Sequence, residues 1–127
     1  MTGYVTTLEK KTLANQYFRK VLFTGPYCQL VVMSLAPGED IGMETHADVD
    51  QFIRIEAGNG KAILNDEEHD LEDGSAVVIP AGVRHNIVNS SQSKPLQLYT
   101  VYSPPEHPQG TVHKTRADAV AAEKEHH

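Results

Sequence analysis

Gly74-Ser75-Ala76-Val77-Val78-Ile79-Pro80-Ala81-Gly82-Val83-Arg84-His85-Asn86-Ile87-Val88-Asn89 sets two short runs rich in β-branched residues on either side of a Pro-Ala-Gly turn. Short runs of this kind, bounded by turn formers, read as strands. Gly74 permits the bend into the first run, Ala76 to Ile79, and Pro80 with Gly82 builds a rigid turn that aims His85 inward. His85 and Asn89 are an even number of residues apart, so both can face the interior with Ile87 between them.

The same rhythm extends outward in both directions. Apolar and polar residues alternate over short segments that Gly, Pro, Asn or Asp interrupts, the pattern of many antiparallel strands. Besides Ala76 to Ile79 and His85 to Asn89, strands are predicted at Tyr17 to Phe23, Gln29 to Leu35, Gly42 to His46, Gln51 to Glu56, Lys61 to Leu64, His69 to Leu71 and Leu96 to Tyr102. Ala57-Gly58-Asn59-Gly60 reads as a hairpin turn and Asn65 to Glu68 as another. The fold class is all-β, a sandwich or barrel. Thr6 to Gln16 is polar and reads as a short helix or as an arm lying on the barrel. Thr115-Arg116-Ala117-Asp118 resembles a capping box with Asp in place of Glu, opening a short surface helix over Ala119 to Glu125.

A chain of 127 residues fits one domain with one core, expected over about 17–103 with a C-terminal tail at 104–127. Its net charge of -6, from 17 acidic against 11 scattered basic residues, argues against nucleic-acid or membrane-surface partners. The N-terminus lacks signal-peptide character and no apolar run is long enough to span a bilayer, so the expected location is cytoplasmic. Cys28 stands alone beside an apolar run and is expected in the core, which leaves no disulfide or thiolate site within one chain. His126-His127, native or the start of a purification tag, is set apart from any site.

Gly74, Pro80, Gly82, His85 and Asn89 reproduce, at every fixed position, the second motif of the cupin superfamily, and the chain resembles a small single-domain cupin. The first motif of that family asks for Gly, five residues, His, one residue, His, three or four residues, Glu, six residues, Gly. Here Gly38, Glu44, His46, Gln51 and Gly58 occupy those places, with Glu for the first His and Gln for Glu. Asp50 would be the third ligand under the shorter spacing, but the interval to Gly58 and the inward register of Ile53 and Ile55 favour Gln51. The resemblance implies a double-stranded β-helix, or jelly-roll barrel, around one metal ion held by Glu44, His46, Gln51 and His85. It further implies a small-molecule ligand or substrate, and a homodimer in which an N-terminal strand, for which Thr6 to Gln16 is the candidate, lies on the neighbour's sheet.

Two histidines, one carboxylate and a weaker amide oxygen suit a divalent transition metal, namely Mn, Fe, Ni, Co or Zn, and leave coordination positions open. The competing reading is a hydrogen-bonded polar network without metal. Against it stands the cost of burying Glu44 without a cation. Tyr99, Tyr102 and His107 are weak candidates for an acid, base or orienting group at the mouth, since strand tyrosines ordinarily pack and a His among prolines ordinarily meets solvent. Arg54 is out of register with Gln51 and is expected in a salt bridge, and His69 is expected to be solvated. The leading functional expectation is a metal-dependent enzyme, of dioxygenase or isomerase, epimerase or lyase type, acting on a small polar oxygen-rich metabolite. The alternative is a non-catalytic module that binds a carbohydrate or small carboxylate. Phosphate esters suit neither, because no Lys/Arg cluster or Gly-rich helix start is present.

Overall fold

In the computed structural model, which describes residues 2–125, the alternating pattern resolves into nine strands and two helices. The strands are β1 (Arg19–Thr24), β2 (Gln29–Leu35), β3 (Asp50–Ala57), β4 (Gly60–Leu64), β5 (Glu67–Leu71), β6 (Ala76–Ile79), β7 (His85–Asn89), β8 (Leu96–Ser103) and β9 (Val112–His113). The helices are α1 (Leu8–Ala14) and α2 (Arg116–Glu125). One sheet runs β6-β3-β8-β2-β1-β9 and the other β5-β4-β7, with every pairing antiparallel. This is the all-β class that the strand rhythm predicts, arranged as the jelly roll that the resemblance implies, with the short C-terminal helix read from its capping box. The core lies between the sheets: Ile53 and Ile55 of β3, Leu96 and Leu98 of β8, Val31, Met33 and Leu35 of β2, Ile79 and Ile87 are all buried.

Several boundaries differ from the sequence reading for local reasons. Residues 42–46 do not form a strand; the segment 40–46 pairs its backbone with β7 through the isolated bridges Asp40↔Val88 and Glu44↔His85. Gly42, at φ 110, breaks the extended run between them, and its N–H donates to Asn86 Oδ1 instead of the ladder. The turn before β5 is tighter than four residues, because Asn65 takes φ 53 and lets β5 begin at Glu67. Cys28 is exposed, not core: it ends the loop in which its carbonyl accepts the Gly25 N–H, and the inward position falls to Gln29. Within Thr6 to Gln16, Leu8–Ala14 is helical and packs on β8, β3 and β2, with Gln97 Nε2 donating to the Leu13 carbonyl. Its backbone bonds are internal, so this segment is not the strand that the resemblance offered to a neighbour's sheet.

Beyond β8, residues 104–113 fold back over one end of the barrel, and β9 pairs with β1. The capping box of α2 forms with Asp as read: Asp118 N–H donates to Thr115 Oγ1 at 3.1 Å and Thr115 N–H to Asp118 Oδ2 at 3.3 Å. His126-His127 lies outside the described residues.

Gly58 closes the first motif at φ 113, and a Cβ there would sit 2.7 Å from the Pro95 carbonyl oxygen. Gly58→Ala should therefore cost about 2–4 kcal/mol, left-handed strain plus a backbone clash. Gly38→Ala, at φ 78 with nothing within 4 Å, should cost only the strain, about 1–2 kcal/mol. Urea denaturation of the two variants checks the order; equal losses would show that the Pro95 contact is readily relieved.

Candidate metal centre

Glu44 and His85 face each other across a narrow antiparallel pair. The Glu44 N–H donates to the His85 carbonyl at 2.9 Å and the His85 N–H to the Glu44 carbonyl at 2.8 Å, which turns both side chains to one face. His46 stands two residues on, and its carbonyl accepts the Gly82 N–H at 2.8 Å. Gly82 itself, at φ 87, is the third residue of a turn in which Val83 N–H donates to the Pro80 carbonyl. The Pro-Ala-Gly turn thus positions His85 and pins His46. Glu44, His46 and His85 each bring a ligand atom to within 4.8 Å of the others, a cluster that could hold a metal ion.

The protonation states follow from the partners. His85 Nδ1 lies 2.9 Å from the Val83 carbonyl, which can only accept, so Nδ1 carries the hydrogen and Nε2 keeps its lone pair for a cation. His46 lies between two carboxylates, Nε2 at 3.0 Å from Glu44 Oε2 and Nδ1 at 3.3 Å from Glu106 Oε1. Hydrogen bonds to Glu106 and then Glu44 outweigh burial and raise its pKa to about 9. Without a cation the His46 imidazolium serves as counter-ion, so Glu44 is not orphaned. The orphan is Gln51, which is buried and donates from Nε2 to Thr100 Oγ1 at 3.0 Å while its Oε1 has no partner. An unpaired buried amide oxygen at a position of the first motif fits a fourth, weak donor to an ion.

A cavity of about 460 Å³ reaches Glu44 and His46 of this cluster and is lined also by Glu106, His107, Arg19 and His113; His85 and Gln51 are not on its wall. Glu106 and His107 come from the fold-back loop, and buried Gln29 clamps them. Its Oε1 accepts the Glu106 and His107 N–H groups at 3.2 and 3.0 Å, and its Nε2 donates to the His107 carbonyl at 2.7 Å. His107 Nε2 lies 3.4 Å from the Tyr102 hydroxyl. Burial, helped by the Arg19 charge, pushes His107 down to about 3, and burial lifts Tyr102 well above its ordinary range.

The other candidates lie apart. Tyr99 points outward beside Phe52, ring centroids 6.4 Å apart, and takes no part in the site. Asp50 is exposed and accepts the Ala81 N–H on its Oδ1. Arg54 pairs with Glu56 at 3.0 Å, and His69 is exposed beside Glu67. Asn89 clamps the Leu35, Ala36 and Lys94 carbonyls. Arg19, Gln29 and Glu106 are absent from the sequence reading. Gln29 and Arg19 carried a signal, since each shares the inward parity of its strand, with Val31 and Met33 or with Val21.

The cupin domain family model matches residues 31–102. YrkC of Bacillus subtilis is 48% identical over 126 residues, covering 94% of this chain and 67% of that protein. L612 of Acanthamoeba polyphaga mimivirus is 49% identical over 112 residues, covering 86% of this chain and 70% of that one. The crystal structure of BH2720 from Bacillus halodurans aligns at a TM-score of 0.91 with 42% identity, covering 93% of each chain.

His46 has an ordinary value of 6.5 and a folded value of about 9, so the folded, metal-free protein binds this proton more tightly than the unfolded chain. The resulting stabilisation is complete below about 6.5 and is lost as pH rises through about 9. Thermal unfolding of metal-free protein should show Tm falling across that window, and His46→Gln should flatten the fall. A wild-type profile with no such fall would mean that the two carboxylates do not hold the proton on His46.

Proposed function

The chain belongs to the cupin family, and on that premise we propose that Glu44, His46, His85 and Gln51 hold one divalent transition-metal ion in an enzyme acting on a small, polar, oxygen-rich metabolite. The observation that carries this reading is the convergence of a two-His, one-carboxylate set, of which Glu44 and His46 line an open cavity; the buried, unpaired Gln51 oxygen at the remaining ligand position of the sequence motif supports it. When bound, such an ion supplies Lewis acidity toward substrate oxygens and, if redox-active, a place for dioxygen.

The chain's own residues prepare the rest. The Val83 carbonyl fixes the His85 tautomer, and Glu106 orients His46 from its far nitrogen, the outer contact that raises ligand basicity. The Gln29 clamp holds Glu106 and His107 at the mouth. His107 lines the cavity, is neutral over the working pH range and stands ready as an acceptor toward a substrate hydroxyl, with the buried Tyr102 hydroxyl behind it at 3.4 Å from its Nε2.

A second reading, a binding module without catalysis, draws support from the same pair. Neither His107, held near 3, nor Tyr102, pushed upward, is tuned toward neutrality as an efficient general acid or base would be.

Elemental analysis of chelator-free, untagged protein should give near-stoichiometric transition metal, lost in Glu44→Gln and His85→Ala. Gln51→Leu should weaken retention by about tenfold or more without abolishing it, as loss of a weak or outer donor does. Wild-type protein that stays metal-free after reconstitution would overturn the ligand assignment. Metal present without turnover on any oxygen-rich acid or sugar would favour the binding module.

A further inference from the structure

Arg19 lies on β1 and is 5% exposed, yet it lines the cavity above the cluster. Its guanidinium sits 5.3 Å from the centroid of the Phe18 ring. Nη1 donates to Nδ1 of His113, its register partner on β9, at 3.2 Å, and the buried Nε finds no acceptor. Among the described residues no carboxylate lies within ion-pair distance of it. A buried charge is tolerable when something of opposite sign answers it. The nearby acids do not reach it: Glu44 and Glu106 are hydrogen-bonded to His46, and Glu123, on the same cavity wall, makes no ion pair with the guanidinium. The neighbouring rings are driven toward neutrality, His107 and His113 by burial first and by the Arg19 charge second.

We propose that Arg19 is the ligand-binding cation of this cavity, and that the ligand is a small carboxylic acid whose carboxylate meets the guanidinium while a second oxygen reaches the Glu44, His46 and His85 cluster. The second half of this statement rests on the metal reading; the first does not. Carboxylate is favoured over phosphate by charge. Arg19 is the only Lys or Arg among the described residues lining the cavity, and Glu44, Glu106 and Glu123 share its wall, so a dianion would be repelled where a monoanion is accommodated. Ala119 and Ala122 of α2 add an apolar side to the same wall, suited to a short carbon skeleton. The bond to His113 explains one guanidinium nitrogen as a pin for β9; it leaves Nε and the net charge unanswered.

The test is calorimetric titration of the whole chain, metal-loaded and metal-free, with the monoanions glycolate, lactate and pyruvate. Each acid is matched by a neutral partner in which hydroxymethyl replaces carboxylate, and inorganic phosphate is run beside them. At least one acid should bind about tenfold or more tighter than its neutral partner, and Arg19→Met should remove that margin while leaving metal content and the affinity for the neutral compound unchanged. Arg19→Lys, which keeps the charge and the stem, should lose part of the margin at an unchanged Tm, and it carries the test if Arg19→Met does not fold. Acid binding that survives in the Met variant, no margin for any acid, or phosphate binding tighter than every acid would overturn the assignment. Arg19-dependent acid binding in a chain that takes up no metal would uphold Arg19 and sink the metal reading. Metal-loaded protein indifferent to every acid would do the reverse.

Discussion

The site rests on one narrow backbone pair. Two hydrogen bonds between Glu44 and His85 join the irregular segment after β2 to the first residue of β7, and in that geometry the side chains of a pair must share a face. Because the segment pairs its backbone with β7 at only two bridges, Gly42 bulges between them, and His46 emerges to meet His85 across 5.2 Å between ring centroids. A regular strand over 42–46 would extend the ladder past His85, where the Pro80 to Gly82 turn already claims the His46 carbonyl. The turn and the bridge over-determine the same histidine pair, which is how a site built on short segments can hold its ligands in place.

The electrostatics build upward from that floor. Glu44 and Glu106 converge on His46 from opposite nitrogens, so one imidazolium is shared by two carboxylates and offsets the charge of one of them; on the proposed metal reading a bound cation would take over that role. Above it the environment changes sign. Arg19 holds a positive charge within reach of Tyr102, His107 and His113. The cavity therefore sets a single cation, Arg19, among the carboxylates of Glu44, Glu106 and Glu123, an arrangement that orients a polar molecule by its charge.

The strand order and the core were legible in the sequence because a period of two is imposed by burial itself. Ile53 and Ile55 on β3, or Leu96 and Leu98 on β8, could not be shifted by one residue without exposing the core. Glu44, His46 and His85 were legible through the resemblance to the two cupin motifs, and Glu44 and His46 keep that placement although residues 42–46 form no strand. What the pattern hides depends on backbone detail without a hydropathy signature. The tighter Asn65 turn, the exposure of Cys28 and the helical form of Leu8–Ala14 are decided by positive φ or by packing against distant strands. Gln29 and Arg19 were visible as polar residues at inward positions, but parity alone does not distinguish a clamp from a ligand-binding cation; their partners, more than 75 residues away for Gln29 with Glu106 and for Arg19 with His113, do.

That separation in sequence locates specificity outside the motifs. The motif residues supply a rigid floor from β3, β7 and the segment between β2 and β3. The groups that would touch the far end of a ligand arrive from β1 through Arg19, from the fold-back loop through Glu106 and His107, and from α2 through Ala119 and Ala122. Gln29 ties the loop to β2 by three hydrogen bonds, so the mouth is set by the barrel wall and not by the motif turns. A chain of this kind can change its ligand by altering β1 and the residues after β8 while leaving the floor untouched. On the proposed reading the two motifs speak to fold and metal, and a single buried arginine outside them speaks to the ligand.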